Sequence, residues 1–287
     1  MTIQFKKVAI LGVGLLGGSL GLNILQKKMA KEVVGFGRQA ANLKLAKKKG
    51  LITHIAKTPE EAILGADLIL LAAPVKSIAI YLKQIAALAS KGTLVMDVGS
   101  TKSYIVKQAA ELTKKKIVFV GAHPMAGLEK SGAAAAVETL YEGSRCLICF
   151  LPQTPAAIKK KVTIFWKQMG SQVIEVSAVK HDRLLGFTSH LPQMVSYALM
   201  SVVGDFVTGG DIKKFSGNGF KDMTRLAGSP GSMWLDICET NRENLILALN
   251  ELRSKIDWMS HLLKANKWRE LGDFFNQVSV QKVKVSK

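Results

Sequence analysis

The sequence predicts an α/β protein in two parts, an N-terminal parallel-sheet domain over residues 1–177 followed by an all-helical domain over residues 178–287. Three observations predict it. Short runs rich in Val, Ile and Leu that end in Gly, Pro or Ser recur from Lys7 to Phe150, amphipathic stretches lie between them, and after Ser177 the strand signal disappears. Continuous apolar strands separated by amphipathic helices imply a parallel sheet covered on both faces.

In chain order the expected strands are KVAILGVG (7–14), EVVGFG (32–37), ADLILLAAP (66–74), GTLVMDVGS (92–100), KIVFVGAHP (116–124) and RCLICFLP (145–152). Between them, LLGGSLGLNILQKK, QAANLKLAKKKG and TKSYIVKQAAELTKKK have the spacing of helices. In TPAAIKKKVTIFWKQMG, Thr154 is the expected cap, Pro155 opens the first turn and Gly170 stops the helix, with SQVIEVS as a last strand. Residues 178–275 carry long helical periodicities, and the Lys/Val/Ser-rich tail after Gln277 reads as a frayed end.

The formal net charge is +19, a balance that often signals nucleic acid or membrane phosphate. The lysines are nevertheless dispersed: the clusters at 27–28, 47–49 and 114–116 close amphipathic stretches, where a cation favours the helix C-terminus. With no basic patch interleaved with aromatics, neither a nucleic-acid nor a membrane partner is expected; the positive field suits a small anionic substrate. The opening residues lack a signal-peptide core, and no apolar run reaches the ~18 residues of a membrane span, so a cytoplasmic location is expected. Cys146 and Cys149 lie in an apparent strand and read as buried thiols rather than as a redox or zinc pair.

The first expected strand runs into Gly12-Val13-Gly14-Leu15-Leu16-Gly17 and then an apolar helix. Three glycines at that junction supply a tight turn, close backbone approach to a pyrophosphate and close helix packing, which is the phosphate-binding logic of a Rossmann-type dinucleotide fold. After the second strand no acid is present to hold the ribose hydroxyls of NAD; Arg38 stands there, suited to a 2′-phosphate or to stacking on adenine. NADP is therefore expected, with NAD the alternative. Ala73 and Pro74, in AAPV (72–75), should border the cofactor further along the sheet edge, or else simply end a strand in a turn.

VFVGAHPMAG places His123 at the carboxyl edge of the sheet, on the rim that carries the glycine loop. An imidazole there can take a proton from a hydroxyl while a hydride leaves for nicotinamide. Pro124 keeps His123 extended, and Gly127 suggests a tight turn. Ser100, at the end of the preceding strand, can orient the imidazole or substrate, or cap the helix that follows. In the helical part, His190 and Arg225 are candidate carboxylate-binding groups; Arg225 could instead pair with Asp222 three residues earlier.

Together GVGLLGGSLG (12–21), AAPV, DVGSTK (97–102), GAHPMAGLEKSG (121–132), HDRLLGFTSHLPQ (181–193) and GNGFKDMTRLAGSPGSMWLDI (217–237) resemble the TyrA-type prephenate and arogenate dehydrogenases of tyrosine biosynthesis. The resemblance implies NAD(P)-dependent oxidative decarboxylation of a cyclohexadienol, with His123 accepting the hydroxyl proton and Ser100 helping to orient it. It implies that His190 and Arg225 hold carboxylates, that Gly12, Gly14, Leu15, Leu16, Gly17 and Arg38 hold the cofactor, that Trp234 lines the pocket, and that the helical domain forms a homodimer. Leu128 and Gln193 depart from residues common in the family. Prephenate is the expected substrate and arogenate the alternative. A more distant alternative is a β-hydroxyacid dehydrogenase, for which Lys221 would be the catalytic lysine.

Overall fold

The computed structural model describes residues 3–128 and 130–286, so Glu129 of the GAHPMAGLEKSG segment lies outside the described residues. The apolar runs form strands β1 (Phe5–Leu11), β2 (Ala30–Phe36), β3 (His54–Ile55), β4 (Leu68–Leu71), β5 (Leu94–Asp97), β6 (Val118–Pro124), β7 (Arg145–Phe150) and β8 (Gln172–Glu175). They build one sheet in the order β3-β2-β1-β4-β5-β6-β7-β8. The order reverses between β1 and β4, and in such sheets the crevice beyond the carboxyl ends at that point is where ligands bind.

The sheet is parallel from β3 through β6 and then turns: β7 runs antiparallel to β6, and β8 runs parallel to β7. The reason lies in the connection between β6 and β7, whose described residues form two short 3₁₀ turns, Ala133–Ala135 and Glu138–Tyr141, in place of a crossover helix. Without a crossover the returning strand must run backwards. This connection instead packs on the first helix, Leu15–Gln26: the Tyr141 hydroxyl donates to the Leu16 carbonyl at 2.7 Å, and the Val137 amide to the Ser19 hydroxyl at 3.0 Å.

Helices cover both faces, and the core divides accordingly into two buried clusters, one around Val8, Ile10 and Trp166, the other around Leu11, Ile69 and Phe119. The stretch 101–116 splits at Ala109 into Ser103–Gln108 and Ala110–Lys114. The helix Ala156–Gln168 starts after Pro155 as expected, but the Thr154 side chain does not cap it, because Thr154 is buried and turned back toward Leu151 through its amide. Cys146 and Cys149 are buried and unbridged.

From Ala178 onward the described chain is helical apart from its connections. Ala178–Leu185 passes through a π-helical turn, Gly186–His190, into Leu191–Phe206, and three long helices close the chain: Gly231–Thr240, Arg242–Lys264 and Trp268–Ser286. The expected fraying after Gln277 does not occur; the last helix continues to Ser286, Val and Lys being compatible with helix in a run that holds no Gly or Pro. Among the described residues no helix is long and apolar enough to cross a membrane.

Candidate active site

The glycine loop follows β1 at the reversal point. Gly12 has φ +106°, and a Cβ added there would lie 2.4 Å from the Ala72 carbonyl oxygen, so only glycine lets the loop run against the end of β4. Gly17 is as restricted: its Cβ would stand 2.1 Å from the Gly12 oxygen. Gly14 differs, with open space where its Cβ would be, and it precedes the helix Leu15–Gln26 with no side-chain cap and no acid in the first turn. The uncapped amides at Leu15 and Leu16 and the space over Gly14 fit a pyrophosphate. Ala73 and Pro74 leave β4 beside this loop; Pro74 begins the helix Val75–Leu88 rather than a plain turn. Arg38 is exposed beyond β2, near enough to Tyr81 for its charge to act on the phenol, so it stands at the outer wall of the same crevice.

His123 lies in the last rungs of β6, opposite Leu147 of β7, and the strand continues through Pro124. The imidazole is partly exposed, and its Nδ1 lies 2.9 Å from His181 Nε2. His181 is fully buried, and its Nδ1 lies 2.8 Å from Asp182 Oδ1. Asp182 reaches from the helix Ala178–Leu185 to the start of the helix Ser103–Gln108, where its carboxylate accepts the Lys102 and Ser103 amides, each at 2.8 Å. Burial alone would raise the Asp182 carboxyl, but the hydrogen bonds from His181 and the two amides outweigh it and hold the pKa below the usual range. His123 is held well below the ordinary imidazole value, first by burial and then by His181, Lys102 and His190, whose cationic forms oppose a second positive charge beside them.

Lys102 itself is wholly buried and pairs with Asp97 at the end of β5, whose Oδ2 also accepts the Gly99 amide at 2.8 Å. On the helical side, Asn241 binds the assembly together. Its Nδ2 donates to the Asp182 carbonyl at 2.8 Å and to His190 Nδ1 at 3.0 Å, while its Oδ1 accepts from Asn244 at 2.8 Å. Because His190 Nδ1 accepts, the neutral ring carries its proton on Nε2 and can donate it to a ligand. Burial, moderated by Asp182 and reinforced by His181, lowers His190 to about 4. Trp234 meets His190 edge-on at 5.9 Å, and its indole N–H is buried without a hydrogen-bond partner among the described residues.

The structure therefore groups His123 and His190 with Trp234 alongside, and sets the glycine loop, Ala73 and Pro74 on the same sheet edge. Ser100 is half-buried in the loop after β5 but makes no hydrogen bond to His123, whose Nδ1 is taken by His181, and it does not cap the helix Ser103–Gln108, which Lys102 precedes. Arg225 is exposed and opens the 3₁₀ turn Arg225–Gly228, outside the His123–His181–Asp182 chain; buried Gln193 steadies that turn by donating to the Leu226 carbonyl at 2.6 Å. Gly127 does not need glycine's freedom: its φ is not positive, and an added Cβ would meet nothing within 4 Å. Lys221 is exposed. His181, Asp182 and Lys102 lie within the motifs HDRLLGFTSHLPQ and DVGSTK, which by themselves assign them no role, and Asn241 lies outside every motif. The one local signal, for His181 and Asp182 alone, is an acid directly after a histidine within the amphipathic helix Ala178–Leu185.

A family profile described as the nucleotide-binding domain of prephenate dehydrogenase matches residues 20–175, and one described as its dimerization domain matches residues 177–277. The chain is 30% identical over 278 residues to a prephenate dehydrogenase of Lactococcus lactis, covering 95% of this chain and 75% of that one. It is also 30% identical over 257 residues to a prephenate dehydrogenase of Bacillus subtilis, covering 88% and 69%. Among solved structures, the prephenate dehydrogenase of Aquifex aeolicus in complex with hydroxyphenyl propionate and NAD+ superposes with a TM-score of 0.90 at 28% identity, over 99% of this chain and 100% of that one.

Proposed function

This chain belongs to the prephenate dehydrogenase family, and on that premise we propose that it oxidatively decarboxylates prephenate to 4-hydroxyphenylpyruvate with a nicotinamide dinucleotide, in tyrosine biosynthesis. The observation that carries the reading is His123: an imidazole of depressed pKa at the carboxyl edge of the sheet, tied from behind by His181, on the edge that holds the glycine loop.

A nicotinamide dinucleotide held along this edge would supply the acceptor for a hydride from the ring carbon that bears the hydroxyl. His123 accepts the hydroxyl proton on its outward nitrogen. Carbon dioxide leaves from the opposite ring carbon, its bonding pair entering the ring as it becomes aromatic, and the phenolic oxygen takes the proton back from His123. His190 offers Nε2–H to an oxygen of the substrate, Arg225 serves a carboxylate, Trp234 walls the pocket, and Ser100 helps to orient the substrate hydroxyl. Among the described residues the acid that acts on His190 is Asp182, whose carboxylate is already taken by His181 and the Lys102 and Ser103 amides rather than free to anchor an ammonium group, which supports a keto-acid side chain over an amino-acid one.

Gly12, Gly14 and Gly17 with the Leu15 and Leu16 amides hold the pyrophosphate, and Ala73 and Pro74 border the remainder. Arg38, with no acid in its place after β2, favours the 2′-phosphate of NADP while leaving NAD usable. The helical half leaves Phe206, Phe215 and Leu235 exposed at 87%, 74% and 60%, apolar surface that a second copy of the chain covers in a homodimer.

The test follows reduced-nicotinamide absorbance with prephenate and arogenate, each crossed with NAD and NADP, for the native chain and His123→Asn. Turnover with prephenate that falls about 10²–10⁴-fold in the variant, while dinucleotide affinity is retained, supports the reading. No turnover in any combination overturns it.

A further inference from the structure

The proposed reaction needs a bare nitrogen on the substrate side of His123, and an imidazole has two nitrogens. Which one is bare is settled behind the ring. The Asp182 carboxylate already receives two backbone amides, and an ionised carboxylate only accepts, so His181 Nδ1, 2.8 Å from Oδ1, must carry a proton. In the neutral ring this leaves His181 Nε2 bare. His123 Nδ1, 2.9 Å away, must then be the protonated nitrogen. Nε2 of His123 is thereby left unprotonated and faces away from His181. The reverse arrangement would put a proton where the substrate must deliver one.

We propose that His181 and Asp182 are positioning residues for this reaction: they fix the tautomer and plane of His123, and the Asp182 charge balances the imidazolium that forms when His123 takes the substrate proton. The inference rests on the reading of His123 as the base. Helix capping alone does not account for Asp182. Capping uses the Lys102 and Ser103 amides, whereas the third bond, to His181, and the onward bond to His123 lie outside the helix. Nor is apolar packing the reason, since fully burying His181 and nearly all of Asp182 is costly unless each polar atom is matched, and here the matching is continuous from the amides to His123. The other titratable groups acting on His123 are Lys102, which is paired with Asp97, and His190, which is neutral above about pH 4. Asp182 is thus the group whose charge remains to meet a proton on His123.

The test uses the full chain labelled with ¹⁵N-histidine, with His123 assigned by its loss in His123→Asn. Two-bond proton–nitrogen correlation distinguishes the tautomers without substrate. The Nδ1–H form is expected in the native protein. Asp182→Asn, or His181→Gln should the first not fold, is expected to shift His123 toward the Nε2–H form and to lower kcat roughly 100-fold or more with KM within about threefold, as loss of a tautomer-setting carboxylate does elsewhere; Asp182→Glu restores part of the loss. An Nε2–H form in the native protein overturns the proposal, as does a folded variant whose kcat stays within about threefold of native. Because the spectrum needs no turnover, an enzyme inactive toward prephenate would refute the assigned reaction and leave the tautomer result to be read separately.

Discussion

Replacing Lys102 with Met keeps most of the side-chain volume and removes the charge beside Asp97. Both side chains of the pair are 0% exposed, so the carboxylate cannot recover its lost partner from water. Breaking a buried pair from one side costs about 3–5 kcal/mol. For a domain the size of the sheet-containing half, that corresponds to a fall in Tm of roughly 6–20 °C. Burial is the leading influence on Asp97 and raises its pKa, with Lys102 opposing it. Without Lys102 the folded carboxyl rises further and binds its proton more tightly than the unfolded one. The deficit of Lys102→Met should therefore be small below the unfolded value of about 3.9 and grow as pH increases. Asp97→Asn added to Lys102→Met removes the stranded charge while still accepting the Gly99 amide, and should recover most of the loss. Thermal and urea unfolding of the native chain, both single variants and the double variant, at about pH 5 and about pH 8, measure the coupling and its pH dependence. A cost under about 1 kcal/mol for Lys102→Met, or a double variant no more stable than the single, would refute the reasoning.

Gly17→Ala drives a Cβ to 2.1 Å from the Gly12 oxygen and should lose both stability and dinucleotide binding, whereas Gly14→Ala, with nothing within 4 Å, should unfold like the native chain yet bind the dinucleotide more weakly; thermal unfolding beside tryptophan-fluorescence titration separates the two. Arg38→Ala should weaken NADP by about tenfold or more and leave NAD within about twofold, read by titration with each, because a guanidinium–phosphate pair is charge-assisted. Asn241→Leu removes the donor to His190 Nδ1 and releases the ring's tautomer, so KM for substrate should rise about tenfold with a smaller change in kcat. Since His190 titrates at about 4, its donor state should not change between about pH 5 and pH 8, and a KM that rises across that range in the native enzyme would contradict the assignment.

The sheet and the rim were legible because their signals are local. KVAILGVG carries its strand, turn and helix start within a few residues, and HPMAG marks His123 by the strand that delivers it. The reversal of β7 was not legible, for the apolar run RCLICF carries no mark of direction; what decides it is the path of residues 137–141 across the first helix. β3 is two residues long and below the reach of any pattern. The chain behind His123 was hidden for a different reason: His181 is 58 residues from His123, and Asp182 is 80 from Lys102, so their pairing exists only once the helical half folds against the sheet. Lys102 looked like any other of the 40 Lys and Arg residues, most of which are solvated.

The wide turn at Gly186–His190 has a bearing on how this protein can change over time. Its five residues close a larger ring than an ordinary helical turn, so the segment tolerates one residue more than a regular helix between His181 and His190 would use. Deleting a single residue there would let the helix relax to its usual pitch and swing His190 by about 100° off Asn241. Loss of a residue from the exposed stretch around Gly127 would cost far less. Length variation among descendants of this chain should thus accumulate in the outer loop and be purged at the wide turn, which behaves as a fixed tooth in the gearing between the two halves.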